Sequence, residues 1–566
     1  MCDTSFKNMV WEVLTPDSEL TRMLSQDLQV SDLVAGLLIN RGITTAQEGK
    51  VFLKPEVKDL HDPFLLNGVG EAVSRIKEAI SKREKILIYG DYDVDGLTAI
   101  ALLTSVLKEI GGDVCSYIPH RIKEGYGLNE GAIHLAHKDG VRLILTVDCG
   151  TNSHPEVILA RKLGIDIIIT DHHEVESIAL PPAVTVINPH QLDCSYPCKD
   201  LSGVGIAFKL AQALTGVGNA GEHLDLVALG TVADIVPLNG ENRILVRRGL
   251  EKLARTEKVG LRALMQVSGI SRDKLTTREI SFILAPRLNA PGRLDSAETS
   301  LRLLLTQSEE EALALAHELQ EDNRRRQAIQ EKILKDAQQK IEKEPGKKLC
   351  PVIVLADESW HPGVVGIVAS KLVEGYCRPA ILIAMDKEKG KGSARSIGQF
   401  HILYALRECR RLLTSFGGHS RAAGLTISKR NLESFSDEMQ RIGRAKLTDK
   451  DLSPRLGIDM ELDLSEITDG LVRDITCLKP YGPGNSEPVF ISYNVQAIHP
   501  RIVSNRHLKM QVLRNRKSVD AIGFGMGDCI TDLTRSGSVD IVYNPQINIW
   551  EGRSELQLKL MDIRAG

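Results

Sequence analysis

The run Lys85-Ile86-Leu87-Ile88-Tyr89-Gly90-Asp91-Tyr92-Asp93-Val94-Asp95-Gly96 decides how the rest of the chain reads. Its first half is a short, continuous apolar run, the pattern of a strand buried on both faces. Its second half sets three aspartates at every second position and closes them with glycines. Several carboxylates therefore crowd one small volume at the strand's carboxyl end. Working outward, a helical pattern spans about 97–110, a strand 114–118, a helix 129–138 behind an Asn cap, a strand 141–147, a helix 154–163 and a strand 165–170. Apolar, β-branched runs alternating with helices predict a parallel sheet covered on both faces.

Further out, the first 80 residues read as a helical segment, with caps and turns around Thr44, Pro55 and Pro63. A second helical stretch covers about 204–269. Between Pro291-Gly292 and Pro345-Gly346 there is no glycine or proline, and Leu315, Leu319, Ile329, Ile333, Ala337 and Ile341 recur at helical spacing. Behind the capping pattern Ser308-Glu309-Glu310-Glu311 this predicts one helix over 309–343, about 50 Å long at 1.5 Å per residue. An ordinary packed helix is the plainer reading; its length and its Pro-Gly stop favour a connector between two lobes. A smaller α/β unit starts at Pro351-Val352-Ile353-Val354-Leu355-Ala356 and runs to about 445. From about Leu456, alternating runs such as Glu555-Leu556-Gln557-Leu558-Lys559-Leu560 predict a small β-barrel or sandwich. The expected domains are 1–80, 81–300, 301–345, 346–450 and 451–566.

The 566 residues carry 71 Lys+Arg against 74 Asp+Glu, a net charge of −3. That argues against a histone-like polycation and leaves room for an enzyme that binds nucleic acid through local basic clefts. Hydrophobic residues at 42% and charged residues at 26% exclude disordered and fibrous classes. Aromatic residues at 4% leave few stacking platforms for bases. No run approaches the ~18 apolar residues of a membrane span. Met1 to Met23 lacks a signal-peptide core, and the ten cysteines are scattered, with Cys194/Cys198 the closest pair. A cytoplasmic protein with reduced thiols and no membrane association is expected.

The acids carry the chemistry. Left alone, Asp91, Asp93 and Asp95 repel one another and drive their pKa values up; a divalent cation removes that penalty, and oxygen donors suit Mg²⁺ or Mn²⁺. A solvated Asp-rich turn or a calcium loop is the plainer alternative, but an EF-hand needs a Glu at position 12 and flanking helices, which do not fit after a buried strand. The next strand ends add Asp148, in Thr146-Val147-Asp148-Cys149-Gly150, and Asp171-His172-His173-Glu174. Imidazole beside carboxylate favours Mn²⁺ over Ca²⁺. Asp234 sits inside the apolar segment Gly230-Thr231-Val232-Ala233-Asp234-Ile235-Val236-Pro237, where a lone charge is costly unless paired. These are roughly six to eight ligands, enough for two ions about 3.5–4 Å apart of the kind that drive phosphoryl displacement.

Asp-Tyr-Asp-Val-Asp-Gly, Val-Asp-Cys-Gly, Asp-His-His and Thr-Val-Ala-Asp-Ile-Val-Pro-Leu, in that order, resemble the four motifs of the DHH phosphoesterases. Gly392-Ser393-Ala394-Arg395-Ser396 and Gly417-Gly418-His419-Ser420-Arg421-Ala422-Ala423-Gly424 are similar to the substrate-binding lobe of the DHHA1 type. The segments 119–127, 285–293, 360–371 and 480–488 narrow the resemblance to the bacterial exonucleases of this superfamily that act on single-stranded DNA, over nearly the whole chain. The resemblance implies a parallel-sheet DHH lobe, a connector helix, a DHHA1 lobe and a terminal OB-like barrel. It implies Mn²⁺ or Mg²⁺ as two ions and hydrolysis of single-stranded DNA 5′→3′ to mononucleotides in repair and recombination. It also implies a monomer that works with a single-strand-binding protein and a helicase. One departure is Tyr89, where many DHH phosphoesterases carry a histidine; the first metal then relies more on Asp91, or has a water in the imidazole's place.

Under that resemblance the metal ligands are Asp91, Asp93, Asp95, Asp148, Asp171, His172, His173 and Asp234, with Asp93, Asp148, His172, His173 and Asp234 catalytic. His419, after two glycines that let backbone approach a ligand, is placed across the cleft as a catalytic donor to the scissile phosphate; closing a turn as a core histidine is its plainer role. Arg395 offers a fork of donors to phosphate beside Ser393. Arg121 holds a 5′ phosphate or is a surface arginine, and Arg287, Asn289 and Arg293 are candidate backbone contacts. His361 lies in the cleft or caps a helix. Arg324-Arg325-Arg326 forms a solvated helical face or lines the DNA path. Two rivals remain: a DHH phosphodiesterase for short RNA or cyclic dinucleotides, and an inactive DNA-binding scaffold, which would have lost metal ligands this chain retains.

Overall fold

The computed structural model describes residues 9–175, 179–343, 350–533, 537–550 and 553–565. The Pro345-Gly346 stop lies outside them. The chain forms two compact units, residues 55–447 and residues 1–54 with 448–566. The helical stretch 1–80 is thus divided between the units.

In the larger unit, β1 (Lys85–Gly90) leads into helix α1 (Val94–Glu109), followed by β2 (Asp113–Tyr117), β3 (Val141–Val147), β4 (Asp166–Thr170) and β5 (Thr185–Ile187). They form a parallel sheet in the order β2-β1-β3-β4-β5. Alternate β1 residues serve opposite faces: Ile86 and Ile88 enter one apolar cluster, Leu87 and Tyr89 another. Each fully buried aliphatic side chain contributes about 1.5–3 kcal/mol over exposure, which is why this run must be a central strand. Short β5 was not expected, although Val184-Thr185-Val186-Ile187, between two prolines and Asn188-Pro189, is a β-branched run.

Gly90 pairs with Val147, Val147 with Thr170, and Thr170 with Ile187. This register makes Asp91, Asp148 and Asp171 emerge side by side at the carboxyl edge, where open α/β sheets bind ligands. Helix α2 (Gly203–Thr215), α3 (Leu224–Ala233) and α4 (Ala285–Leu294) follow, then the connector α5 (Glu309–Lys343) of 35 residues. Glu311 N–H donates to Ser308 Oγ at 3.2 Å, the expected cap.

The DHHA1-like lobe has β6 (Ile353–Asp357), α6 (Val365–Tyr376), β7 (Ala380–Asp386), β8 (Lys389–Arg395), α7 (Ile402–Glu408), β9 (Leu413–Gly418) and β10 (Ala422–Ser428). Its sheet runs β9-β10-β8-β7-β6, with β6 and β7 parallel and the other pairings antiparallel. The β9–β10 hairpin carries His419 at its turn.

The smaller unit closes a five-stranded barrel from Phe490–Val503, His507–Arg514, Lys517–Gly523, Arg553–Ala565 and Val539–Trp550, the last pairing back to the first. Strand Val10–Val13 pairs with Arg455–Ile458. Val34, Leu37, Leu38 and Phe52 share one apolar cluster with Phe490, Leu508 and Ile541. Thr45, one residue past the expected cap, forms a capping box with Glu48.

Candidate active site

Asp91, Asp93 and Asp148 form one group of donor atoms within 4.8 Å of one another; Asp95, His172 and Asp234 form a second, and Asp148, His172 and His173 a third. Asp148 and His172 each belong to two groups, so the groups make one continuous cluster. Local structure sets each position. Asp93 caps α1, accepting from the N–H groups of Asp95 and Gly96 at 3.0 and 3.3 Å. Asp148 leaves β3 with φ 60°, in the left-handed region. A Cβ at Gly203 would lie 2.7 Å from Asp148 Cβ, so glycine there lets the start of α2 abut the acids. Asp234 follows the last turn of α3.

The buried donors Asp91 Oδ1, Asp148 Oδ1, Asp234 Oδ2 and His172 Nε2 have no hydrogen-bond partner among the described residues. His172 Nε2 lies 3.0 Å from Asp148 Oδ1 and 3.7 Å from Asp234 Oδ2. Buried polar atoms are normally satisfied, and unpartnered lone pairs converging on one volume fit a bound cation. The electrostatics agree. Burial, and next Asp93, hold the Asp91 carboxyl well above the usual range. Burial, and next Asp95, do the same to Asp148 and Asp234. Asp95 is pushed up to about 6 by burial, against the pull of His172. Burial lowers the basicity of His173, but Asp171 outweighs it and holds the imidazole at about 9.

Two expected ligands differ. Asp171 belongs to none of the three groups: Oδ1 accepts from His172 and His173 N–H at 2.8 and 3.1 Å, and Oδ2 from Thr151 N–H at 2.9 Å. Its Oδ1 also lies 2.7 Å from His173 Nδ1. With both oxygens engaged it orients His173, and these bonds hold its pKa below the usual range despite burial. Asp95 stays in the cluster, but its oxygens accept from Gly203 and Val204 N–H at 2.6 and 2.8 Å. Tyr89 faces away: its hydroxyl donates to Gly127 O at 2.7 Å and its ring stacks on Tyr117.

Sequence reasoning missed Tyr126, whose hydroxyl donates to Asp148 O at 3.2 Å and lies 3.0 Å from His173 Nδ1. Its one local signal is the glycine on either side, Gly125 and Gly127, at φ 88° and 85°. Asn188, which donates to His173 O at 2.8 Å, was also missed.

His419 from the second lobe stacks on His173, ring centroids 5.9 Å apart, and its Nδ1 is 3.9 Å from Glu174 Oε2. Arg121 lies over the Tyr92 ring at 4.8 Å. Arg293 is brought down to about 9 by burial, then by the like charges of Arg121 and Arg395; burial, then Arg121, also lowers Arg395. None of the three has a carboxylate partner among the described residues. A Cβ at Gly366, in the first turn of α6, would lie 3.0 Å from Ser393 Oγ and 3.3 Å from an Arg395 nitrogen. Ser393 and Arg395 therefore stand against a helix N-terminus, a ready anion site.

The other candidates are engaged elsewhere. Arg287 donates to Gln320 and to Ile283 O. Asn289 Oδ1 accepts from Val94 N–H at 3.2 Å and braces the first acidic turn. His361 is not the cap of α6, which is Val364; it braces the turn before the helix, its Nδ1 accepting from Gly363 N–H at 3.1 Å. Arg324 and Arg325 pair with Glu321 and Asp322 on a solvated face, whereas Arg326 is buried against Asn323 and Gln330.

Residues 85–231 match the DHH family, N-terminal domain; 349–444 match the DHHA1 domain; and 458–562 match the RecJ OB domain. The single-stranded-DNA-specific exonuclease RecJ of Bacillus subtilis (strain 168) is 40% identical, over 98% of this chain and 70% of that protein. RecJ of Escherichia coli (strain K12) is 34% identical over 94% and 96%. The crystal structure of RecJ from Thermus thermophilus in complex with Mn²⁺ matches with a TM-score of 0.85 at 31% identity, over 99% of this chain and 80% of that one. Similarity of this degree along almost the full length shows that the chain belongs to the RecJ family of DHH phosphoesterases.

Proposed function

We propose that the protein is a metal-dependent exonuclease that hydrolyses single-stranded DNA from the 5′ end and releases mononucleotides. The observation that carries this reading is the adjacency of two opposite charge clusters: buried acids and the His172 imidazole with no hydrogen-bond partner at Asp91 Oδ1, Asp148 Oδ1, Asp234 Oδ2 and His172 Nε2, and Arg121, Arg293 and Arg395 without carboxylate partners among the described residues. A phosphodiester strand satisfies the second, and divalent cations satisfy the first. Mn²⁺ or Mg²⁺, as two ions, would be held by Asp91, Asp93 and Asp148 on one side and by Asp148, His172, Asp234 and His173 on the other. When bound, such ions neutralise the carboxylates, draw charge from the phosphoryl oxygens and supply the nucleophile from water at neutral pH.

The chain's own residues do the rest. Arg121 and Arg293 act on the side of Asp91 and Asp93, where their charges are felt. With Ser393 and Arg395 they hold a terminal 5′ phosphate, so the next phosphodiester lies over the carboxylates. That placement selects the 5′ end. His419, stacked on His173, donates to a non-bridging oxygen as charge builds there. Asp171 and Tyr126 keep His173 aimed. No helix among the described residues is long and apolar enough to cross a membrane; a cytoplasmic monomer that meets a single-strand-binding protein and a helicase belongs to the same proposal. DNA labelled at either end, single- or double-stranded, with and without Mn²⁺, tests it. Nucleotides released from the 5′ end of single strands only with Mn²⁺ are expected; release from the 3′ end alone, or none with Mn²⁺, would overturn it.

A further inference from the structure

The segment that leaves the cleft at Arg395 and returns at His419 carries flat side chains in a column. His401, Tyr404 and Arg407 recur every third residue and so share one face of α7. His401 is the N-cap of α7, its Nδ1 accepting from Tyr404 N–H at 3.3 Å. Its ring stacks on Tyr404 with centroids 3.9 Å apart and planes 25° from parallel. The Arg407 guanidinium lies 5.4 Å from the Tyr404 ring centroid. All three are exposed, Tyr404 by 53%. The column starts beside the catalytic turn: Ile402 N–H donates to Ser420 O, and Ser396 N–H to Arg421 O, both at 2.9 Å. Ser420 is the neighbour of His419. Arg407 and Arg421 are exposed without a carboxylate partner among the described residues.

We propose that the His401–Tyr404 pair is a base-stacking subsite for the single strand, with Arg407 and Arg421 neutralising the flanking phosphates. A chain with 4% aromatic residues has few such platforms to spend on solvent. Rings stacked in a column beside unpaired cations are the contact that grips single strands whatever their sequence, because every base has a π-face. α7 has 7 residues, which at 1.5 Å each is about 10 Å, room for about two nucleotides. The subsite rests on the reading of the cleft as a single-strand exonuclease and adds a contact to bases where the arginine cluster contacts phosphate.

The test measures kcat and KM in Mn²⁺ on a 5′-phosphorylated thymidine 12-mer, intact or with one abasic residue scanned along its first positions. For the wild type, an abasic residue at one or two positions raises KM about tenfold, the scale of one lost base–aromatic stack. Tyr404→Ala raises KM about tenfold on the intact strand, leaves kcat within twofold and flattens the abasic profile; Tyr404→Phe behaves as wild type. Tyr404→Ala with wild-type KM and an unchanged abasic profile would overturn the subsite, as would a loss confined to kcat. A wild type that releases nothing from the 5′ end would instead overturn the proposed activity.

Discussion

At Asp148 the chain turns out of its strand with φ 60°, a conformation that aspartate and asparagine tolerate better than most side chains. The turn aims a carboxylate into both halves of the donor cluster. Asp148→Asn keeps the shape and the tolerated backbone but removes the charge. We expect turnover to vanish while the thermal midpoint in EDTA stays at or above wild type, since one carboxylate fewer then has to be buried among the others. Mn²⁺ at 100 times its Kd stabilises a binding protein by about 2.7 kcal/mol; that gain should largely disappear in the variant, and thermal scans with and without Mn²⁺ read it. Asp171→Asn should act differently. Asp171 orients His173, so its loss should weaken Mn²⁺ binding by about 10–100-fold, measured by calorimetry. That division between Asp148 and Asp171 was not legible in the sequence: spacing places both at strand ends, but it cannot show that backbone N–H groups already occupy both Asp171 oxygens. Tyr126 and Asn188 were hidden for the same reason, since their contacts with His173 come from the register of distant segments.

Among the elements, α3 delivers Asp234 at its far end and begins beside a buried histidine. His223 is 5% exposed, and neither of its ring nitrogens has a hydrogen-bond partner among the described residues. Burial, and next Lys258, depress its pKa from 6.5 to about 4. The folded protein therefore keeps His223 neutral where the unfolded chain would charge it. The stabilisation is fully present above pH 6.5 and is lost as pH falls from 6.5 through 4, by up to about 3 kcal/mol at 1.36 kcal/mol per pKa unit. His223→Phe should flatten this window, read as the difference between the urea midpoints of variant and wild type at pH 7 and pH 4.5. A similar loss in both proteins would show that His223 contributes nothing. Elements with continuous apolar runs or unbroken helical periodicity, β1 and α5 above all, were legible because burial on both faces or around one stripe leaves a local pattern. Three-residue β5 leaves only the short β-branched run Val184-Thr185-Val186-Ile187, which was missed.

For the whole molecule, what the sequence could not show is that residues 9–54 belong with the barrel, because that pairing joins segments some four hundred residues apart. Val10–Val13 adds to Arg455–Ile458, and Arg41 reaches Asp459 at 3.1 Å. Leu37, Leu38 and Phe52 are buried in the barrel's cluster. Removing the barrel alone, by ending the chain at 447, would strand these side chains in water at about 1.5–3 kcal/mol each, and such a protein should aggregate. A chain of residues 55–447 removes the whole unit and should fold with its donor cluster intact, binding Mn²⁺ as the full protein does. If the barrel grips the strand beyond the cleft, this shortened protein should lose affinity for long single strands, while very short oligonucleotides, which need the cleft alone, are cut nearly as before. The lost contacts are largely ionic, so the gap between long and short substrates should narrow as salt rises from 50 to 200 mM. KM on a short and a long strand at both salt concentrations decides it. Equal losses on both strands, insensitive to salt, would mean that the smaller unit supports the fold of the larger one and not the DNA.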